Sequence, residues 1–297
     1  MTETILHEAL RKYEIPEPQN VSQHGFTRWG RNSRYWAAVV GDGFIFGDFC
    51  FGLSESVFPQ SNKQLSRKEI AQRRREIEKA VRESQRLREQ QQIEAAERAK
   101  KMWSESTPVG NNDHPYLQKK KVFSYGLRAY GLHRSLVVPI LDLNGEVSSL
   151  QFIDADGVKT FLCGARKKGC FYNVGNLAAS RFFLCEGYAT GATIREALGN
   201  ETVIVCFDAG NLESVACALH TKYPDTDFTV CADNDFNRAG LVGAEKVLDS
   251  IKTVKINVVF PVFMDMFTNP TDFNDLANLE GLEAVRKQIL GEDKHAR

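Results

Sequence analysis

The sequence lacks long apolar runs and any grouping of cysteines that suggests a bound metal. Its seven cysteines form no Cys-x-x-Cys pair and no Cys/His cluster at structural-zinc spacing, and several lie inside apolar runs. We therefore expect reduced, buried thiols in an intracellular protein. No apolar stretch is long enough to cross a bilayer, and the N-terminus lacks the basic and apolar segments of a signal peptide. The sequence predicts a cytoplasmic protein without a membrane partner.

Net charge is also absent, because 38 Lys and Arg balance 38 Asp and Glu. Whole-molecule charge therefore neither requires nor excludes nucleic acid, and only local patches can argue for it. The phosphate loop G-x-x-x-x-G-K-[ST] is missing as well, which excludes the ATPase of a fused helicase from this chain. With 297 residues and 42% hydrophobic content, the chain is nevertheless long and apolar enough to bury sizeable cores.

Composition divides the chain into four segments. Residues 1–60 begin with a short amphipathic helix and are then rich in aromatic residues and glycine, which predicts a small β-unit. Residues 61–105 are almost entirely charged or helix-favouring, which predicts a long exposed helix. Residues 106–180 contain short strands joined by Asn-Gly and Asp-Gly turns, and form a basic, β-rich part. Residues 181–297 alternate between strand and helix patterns.

Arginines alternate with aromatic residues in the first segment. Arg28, Arg31 and Arg34 lie among these aromatic side chains. This pattern is typical of a stacking surface for single-stranded nucleic acid, but also of an aromatic core beneath solvated arginines. Both interpretations stay open from the sequence.

The long helix also leaves two interpretations open. Ser66 followed by Glu69 predicts a capping box at its start. The cluster Arg73-Arg74-Arg75 would contact phosphates in one interpretation. In the other, pairs such as Glu69 with Arg73 stabilise a solvated connector.

Four apolar strands alternate with three helices in the last segment. The strands are predicted at Arg181–Cys185, Thr202–Phe207, Phe228–Ala232 and Lys255–Phe260, and the helices at Thr190–Leu198, Leu212–Lys222 and Gly240–Ile251. Strands and helices at this spacing require right-handed crossover connections. The predicted fold class is therefore α/β, with a parallel sheet covered by helices on both faces.

Acidic residues follow the ends of these strands, where open parallel sheets gather their chemistry. Glu186 follows the first strand, and Gly187 lets the chain turn sharply beside it with no side chain in the way. Asp233 and Asp235 follow the third strand and, being two residues apart, point to one side. Asp208 ends the second strand, where a helix cap is the commoner role. Three carboxylates without His or Cys favour Mg²⁺ or Mn²⁺ and phosphoryl transfer.

These motifs resemble the Toprim domain of bacterial-type primases, topoisomerases and some nucleases, from Arg181 to about Leu276. The shared pattern is a Glu-Gly after the first strand and an Asp-x-Asp after the third. The sequence Glu186-Gly187-Tyr188-Ala189-Thr190-Gly191 is similar to the version found in primases of satellite phages and conjugative plasmids. The resemblance implies that Glu186 serves in acid–base chemistry or metal binding and that Asp233 and Asp235 hold the metal.

A later segment resembles the late acidic motif of those primases. Its sequence is Thr271-Asp272-Phe273-Asn274-Asp275. The resemblance implies that Asp272 and Asp275 bind a second metal or a nucleotide phosphate. An Asn/Asp-rich turn that caps the last helix is the alternative. Asn237 and Gly240, where a helix begins, similarly either direct backbone N–H groups toward a phosphate or simply cap that helix.

The segment from Val137 to Gly175 resembles the basic half of the primase catalytic core. The resemblance implies that Lys159, Arg166, Lys167 and Lys168 contact the template or the incoming nucleotide, with Arg128 as a further candidate. Physically, a polyphosphate substrate requires cations beside a carboxylate–metal site, because charge that develops on pyrophosphate must be offset. A hairpin turn with solvated lysines is the alternative.

The sequence therefore predicts a DNA primase that makes short primers on single-stranded DNA from nucleoside triphosphates, with Mg²⁺ or Mn²⁺, for phage or plasmid replication. A separate replicative helicase is a further candidate partner. No zinc ribbon is present to read a template sequence. A Toprim nuclease is one alternative, whereas the roughly twenty residues after the sheet argue against a topoisomerase. A non-catalytic module that binds single-stranded DNA or a replication partner is the other, although three neighbouring carboxylates cost stability unless a cation pairs them.

Overall fold

The computed structural model describes residues 2–22, 26–30, 34–48, 53–59, 66–199, 201–234 and 238–292. The chain divides into two compact units, Met1–Glu94 and Ala95–Arg297. The four-segment division stays a prediction. No helix within the described ranges is both long and apolar enough to cross a membrane.

The first unit packs a helix on an antiparallel sheet. Helix α1 (Thr2–Lys12) is followed by strands β1 (Phe26–Trp29), β2 (Tyr35–Val40), β3 (Gly43–Asp48) and β4 (Leu53–Val57), which pair in the order β1-β2-β3-β4. Leu6 and Leu10 of α1 are fully buried and form a core with Phe44 and Phe46 of β3. The apolar stripe of a single short helix is thereby covered by one face of the sheet.

The described aromatic residues of this unit mainly form its core. Trp36 is 1% exposed, and Phe44 and Phe46 are equally buried. Arg34 donates to the buried carboxylate of Asp48 at 2.8–3.1 Å, so its guanidinium is held in the fold. These residues fit the interpretation of an aromatic core beneath arginines, while Arg31 falls outside the described ranges.

Helix α2 (Arg67–Glu105) starts at the predicted capping box. The amide of Ser66 donates to Glu69 Oε2 at 2.7 Å, and the amide of Glu69 donates to Ser66 Oγ at 3.3 Å. The predicted pair of Glu69 with Arg73 is wrong, because Arg73 pairs with Asp42 and lies 4.2 Å from the centre of the Phe58 ring. A carboxylate and an aromatic face together hold a guanidinium better than one solvated partner on the same helix.

The second unit begins with an antiparallel sheet. Its elements are β5 (Thr107–Pro108), α3 (Pro115–Lys120), β6 (Arg128–Tyr130), β7 (Ser135–Leu141), β8 (Val147–Ile153) and β9 (Lys159–Phe161), and the strands pair in the order β5-β6-β7-β8-β9. Gly145 (φ +83°) and Gly157 (φ +95°) supply the left-handed positions of the two hairpin turns. Both turns were predicted at these glycines.

The predicted parallel sheet follows. Its elements are β10 (Tyr172–Val174), β11 (Arg181–Cys185), α4 (Tyr188–Leu198), β12 (Thr202–Val205), α5 (Ala209–Lys222), β13 (Asp227–Cys231), α6 (Ala239–Ser250), β14 (Ile256–Val259), α7 (Phe273–Glu280) and α8 (Leu282–Leu290). The order is β10-β12-β11-β13-β14, in which β10 alone pairs antiparallel. The α/β fold with its parallel strands is confirmed, whereas β10 is too short for its pattern to be recognised in the sequence.

Helices cover both faces of this sheet, as predicted. Phe183 and Val203 point toward the core that includes α4, α7 and α8, while Phe182 and Ile204 point toward α5 and α6. Because both faces are buried, each strand is an apolar run rather than an alternating one. Leu184 lies beside Ile204 and Val230 in the register, so β11, β12 and β13 end at one edge of the sheet.

The cysteines only partly match the expectation of buried thiols. Cys170, Cys185, Cys206 and Cys231 are buried and free. Cys163, in the loop after β9, and Cys217, on α5, are only half-buried. Cys50 lies outside the described residues.

Candidate active site

A pocket of about 170 Å³ lies beyond the carboxyl ends of β11, β12 and β13. Two aromatic side chains, Tyr116 and Phe207, contribute to its wall. Its charged lining residues are Lys120, Lys159, Glu186, Asp208, Asp233 and Asp272. Four carboxylates, from three strand ends and the start of a helix, therefore line one pocket together with two lysines. The fold brings these residues together from distant parts of the chain, since Lys120 precedes Asp272 by about 150 residues.

Gly240 lies against both Glu186 and Asp233. A Cβ added to Gly240 would lie 2.8 Å from Glu186 Oε1, and 2.7 and 2.8 Å from the carbonyl oxygen and amide nitrogen of Asp233. The ends of β11 and β13 therefore meet at the first turn of α6. That helix follows Arg238, which is left-handed (φ +57°) and supplies no side-chain cap. Asp235 and Asn237 are not among the described residues, so their roles stay predictions.

Gly187 does not adopt a conformation that requires glycine. Its φ is −107° and its ψ is 155°, which any residue can adopt, so the interpretation of a sharp glycine turn is wrong. Gly187 instead stands close to Lys159, since an added Cβ would lie 3.5 Å from Lys159 Nζ. This is an ordinary van der Waals distance, so Lys159 of β9 stands beside Gly187 without requiring a glycine there.

Asp208 holds a lysine of the basic loop beside the pocket. It occupies the N-cap position of α5, but its side chain makes no capping hydrogen bond and pairs with Lys167 instead. The Lys167 ammonium group also lies 4.5 Å from the centre of the Phe161 ring. That ring makes an edge contact with Phe207, whose backbone is left-handed (φ +74°). A strained residue at a strand end is typical of functional sites.

Asn211 fastens the basic loop to the parallel sheet and was missed in the sequence. It is 3% exposed, and its Nδ2 donates to the carbonyl oxygens of Cys170 at 3.0 Å and Cys206 at 2.9 Å. Its Oδ1 accepts from the amide of Gly169 at 2.8 Å. One buried amide therefore joins the loop after β9 to the end of β12. A polar residue in the first turn of a helix is the weak signal that could have marked it.

Asp272 and Asp275 support the start of α7. Asp272 is the N-cap, and its Oδ1 accepts from the amide of Asp275 at 2.8 Å. Asp275 Oδ2 accepts from the amide of Thr271 at 3.0 Å, and Asp275 pairs with Lys120 at 3.7 Å. This is the arrangement expected for the capping alternative. Asp272 also lines the pocket, whereas Asp275 does not.

The predicted cations are distributed unequally. Lys159 lines the pocket, and Lys167 pairs with a carboxylate of its lining. Arg166 and Lys168 are exposed and lie outside the pocket lining. Arg128 contacts Trp103 instead. Its Nη1 donates to the carbonyl oxygen of Trp103 at 3.0 Å, and its guanidinium lies 4.6 Å from the centre of the Trp103 ring.

Lys120 is a pocket cation that the sequence did not reveal. The Nδ2 of Asn274, a residue that is 1% exposed, donates to the carbonyl oxygen of Lys120 at 2.8 Å and to Thr193 Oγ1 at 2.9 Å. The end of α3 is thereby fixed to α4 and α7. Only the tertiary fold brings this lysine to Asp272, so no local motif could have marked it.

Buried thiols lie directly beneath the carboxylates. Burial raises the pKa of the Cys185 thiol well above its ordinary value, and the neighbouring Cys206, Cys231 and Asp233 raise it further. Burial likewise raises the pKa of Cys231. These groups are neutral at physiological pH, so they act as apolar support for the site and not as nucleophiles.

The donor types fit a hard divalent cation. Four pocket carboxylates offer oxygen ligands, and no His or Cys side chain lines the pocket within the described ranges. No group of three or more His, Cys, Asp and Glu is gathered closely enough to hold a metal in the part of the chain that the structure describes. The predicted third carboxylate, Asp235, lies outside that part, and Asp208 and Asp272 already accept from protein groups.

Curated relatives of this chain are primases. It is 33% identical over 199 residues to a DNA primase TraC of Escherichia coli, which covers 63% of this chain and 14% of the relative. A second DNA primase TraC of Escherichia coli is 37% identical over 158 residues, which covers 50% of this chain and 15% of the relative. The chain thus spans about a seventh of the length of these relatives.

Among solved structures, the chain resembles the Aquifex aeolicus primase (zinc binding and RNA polymerase domains). The TM-score is 0.48 at 13% identity, over 97% of this chain and 83% of that chain. Residues 181–283 match the family model of the Toprim domain, which confirms the resemblance seen from Arg181 to about Leu276. The C-terminal part of this chain is therefore a Toprim domain.

Proposed function

We propose that this chain is the catalytic part of a DNA primase, which synthesises short primers on single-stranded DNA by metal-dependent nucleotidyl transfer. The observation that carries the proposal is the pocket in which Glu186 and Asp233, from the ends of β11 and β13, lie with Lys120 and Lys159. Carboxylates for a metal and cations for phosphates are the two requirements of phosphoryl transfer. The similarity to DNA primase TraC supports the same function.

Glu186 and Asp233, with Asp235, would hold Mg²⁺ or Mn²⁺. When bound, the ion neutralises charge on the phosphate oxygens of the substrate. Lys159 and Lys120, which line the same pocket, bind the remaining phosphate charge, and Lys167 adds a third cation once it leaves Asp208. Arg166 and Lys168 flank Lys167 in the same loop, and their exposed side chains bind the phosphates of the template.

In the proposed reaction, the 3′-hydroxyl oxygen of the growing primer attacks the α-phosphorus of a nucleoside triphosphate. A new O–P bond forms, the bond to the pyrophosphate oxygen breaks, and the hydroxyl proton passes to Glu186. Lys120 and Lys159 offset the charge that develops on the departing pyrophosphate. The substrates are therefore a single-stranded DNA template and nucleoside triphosphates.

The context of this activity follows from the primases that the sequence resembles. We propose that the protein primes the replication of a phage or plasmid in the cytoplasm, beside a separate replicative helicase. A Toprim nuclease would use the same carboxylates to cut DNA, and a binding module would not need a metal. Metal dependence and the fate of the DNA therefore distinguish the three.

The test is primer synthesis on mixed-sequence single-stranded DNA with labelled nucleotides and Mg²⁺ or Mn²⁺. Asp233→Asn removes one carboxylate charge at the pocket end of β13. Asp227→Asn is the matched control, because Asp227 begins the same strand and accepts from the amide of Lys255 at 3.1 Å, which an asparagine oxygen can also do. We expect oligonucleotides from the wild type and the control, and at least about 100-fold less from Asp233→Asn.

Metal-dependent cleavage of the DNA without primers would favour the nuclease. Binding of single-stranded DNA without synthesis or cleavage, and without thermal stabilisation by the metal, would favour the binding module. Equal loss in Asp233→Asn and Asp227→Asn would show damage to the strand rather than to the site.

A further inference from the structure

Tyr116 lines the pocket, and its buried hydroxyl lies close to two other lining residues, Ala189 and Asp272. The residue is 2% exposed, its ring packs in the core that includes Tyr188 and Phe273, and it lines the pocket. Its buried hydroxyl oxygen makes no hydrogen bond of normal geometry with a described residue. The backbone of Ala189 lies close to this hydroxyl and lowers its pKa, against the larger raising effects of burial and of Asp272.

Two neighbouring tyrosines use their hydroxyls differently. Tyr188 donates to the carbonyl oxygen of Phe123 at 2.7 Å, and Tyr172 donates to the carbonyl oxygen of Tyr125. Both hydroxyls therefore hold the loop between α3 and β6 in place. The hydroxyl of Tyr116 has no such structural task, although it is just as deeply buried.

A buried hydroxyl without a partner costs about 1–3 kcal/mol. A phenylalanine at this position would keep the ring packing and avoid that cost. The hydroxyl is therefore better explained by a partner that arrives with the ligand than by the fold. The pocket beside it, which strand-end carboxylates and two lysines also line, is where such a partner would bind.

The surrounding charges define the chemistry of this partner. Burial raises the pKa of Tyr116 well above its ordinary value, and the negative charge of Asp272 raises it further, so the group remains a neutral O–H donor. A donor beside the ammonium groups of Lys120 and Lys159 fits an anionic acceptor. Phosphate oxygens are such acceptors, and hydrogen bonds to charged groups are the strong ones.

We propose that the Tyr116 hydroxyl donates a hydrogen bond to a phosphate oxygen of the nucleoside triphosphate bound in this pocket. The identity of the ligand rests on the proposed function, whereas the phosphate contact rests on the pocket itself. A space of about 170 Å³ suits the phosphate end of a nucleotide and is too small for a strand of DNA. Tyr116 is then a specificity-determining residue for phosphate-bearing ligands.

The amide of Tyr116 is also held in place. It donates to His114 Nδ1 at 3.2 Å at the start of α3, and Asn274 fixes the carbonyl oxygen of Lys120 at the end of that helix. The hydroxyl and the Lys120 ammonium group are therefore presented by one short element that is fastened at both ends. Such preorganisation is what a phosphate-binding contact needs.

The experiment compares Tyr116→Phe with Tyr172→Phe. Binding of a non-hydrolysable nucleoside triphosphate with Mg²⁺, and of the corresponding nucleoside without phosphates, is measured on the whole chain by calorimetry, together with the thermal midpoint. For Tyr116→Phe we expect an unchanged or higher midpoint and about tenfold weaker triphosphate binding, with nucleoside binding unchanged. For Tyr172→Phe we expect a lower midpoint and unchanged triphosphate binding.

The outcomes separate this inference from the proposed function. Triphosphate binding as tight in Tyr116→Phe as in the wild type overturns the inference, and so does an equal loss for the nucleoside. A wild type that binds triphosphate but makes no primers overturns the proposed function and leaves the Tyr116 contact standing. A wild type that binds no triphosphate with Mg²⁺ or Mn²⁺ overturns both.

Discussion

Lys167 forms an ion pair with Asp208, which lines the pocket. Their side chains are 35% and 41% exposed, so the pair is worth less than about 1 kcal/mol. A phosphate that enters the pocket can therefore replace Asp208 as the partner of Lys167 at little cost. In the proposed function, the pair would keep the ammonium group beside the site until a substrate binds.

The first prediction concerns Lys167→Gln. The KM for nucleoside triphosphate should rise by about tenfold, because one charge-assisted contact to phosphate is lost. The free energy of unfolding should change by less than about 1 kcal/mol, since the pair is exposed. Steady-state primer synthesis and urea unfolding measure the two quantities. Lys246→Gln, an exposed lysine of α6 outside the pocket lining, is the control and should leave both unchanged.

The second prediction concerns the clamp at Asn211. Asn211→Ala should lower the free energy of unfolding by about 3 kcal/mol, because buried carbonyl oxygens of Cys170 and Cys206 lose their donor. Urea unfolding measures the change. Asn173→Ala removes an asparagine whose Nδ2 donates locally to the carbonyl oxygen of Gly175, and should cost less than about 1 kcal/mol. Equal effects of the two substitutions would contradict the role given to Asn211.

The parallel sheet could be predicted because its physical causes are local. Strands that are buried on both faces are continuous apolar runs, and each run here is followed by a helix pattern of suitable length. Glu186 and Asp233 could be assigned to one end of the sheet, because they come just after the ends of β11 and β13. The capping box of Ser66 and Glu69 is local in the same sense, and its two hydrogen bonds are formed.

Residues that depend on distant contacts could not be predicted. The bond from Asn274 to the carbonyl oxygen of Lys120 joins residues 154 positions apart, so nothing near Lys120 indicates that it reaches the pocket. Arg73 pairs with Asp42, 31 positions earlier, and not with the neighbouring Glu69. Helix spacing alone shows which side chains can meet, whereas the tertiary fold decides which of them do.

The third prediction concerns Gly240→Ala. At a solvent-exposed position in a helix, replacing glycine by alanine would stabilise the protein by about 1 kcal/mol. Here the added Cβ would lie 2.7–2.8 Å from the backbone of Asp233 and from Glu186 Oε1, so the end of β13 and the Glu186 side chain must shift away from α6. We expect no gain in the free energy of unfolding and at least about tenfold less primer synthesis. Val242→Ala, at an exposed position of the same helix, is the control, and a stabilised, fully active Gly240→Ala would refute the close packing.

The fourth prediction concerns His114, the N-cap of α3. Its Nδ1 accepts from the amide of Tyr116 at 3.2 Å, so this nitrogen carries no proton, and Nε2 lies 3.1 Å from the carbonyl oxygen of Arg134. The residue is 4% exposed. Burial lowers the pKa of His114 below its ordinary value, the charge of Arg134 acts in the same direction, and the Arg134 carbonyl and Asp154 oppose it.

The lowered pKa sets the sign of the pH dependence. The unfolded chain binds a proton at His114 below about pH 6.5, while the folded chain resists it, so the stability contributed by neutral His114 is complete above that pH and is lost as the pH falls. Protonation would also remove the acceptor that orients Tyr116. His114→Asn keeps a capping acceptor that does not titrate, so its free energy of unfolding should fall less steeply than the wild type's between about pH 7.5 and pH 5.5. His133→Asn, at an exposed histidine, should retain the steep dependence, and an identical profile for all three proteins would rule out His114 as its source.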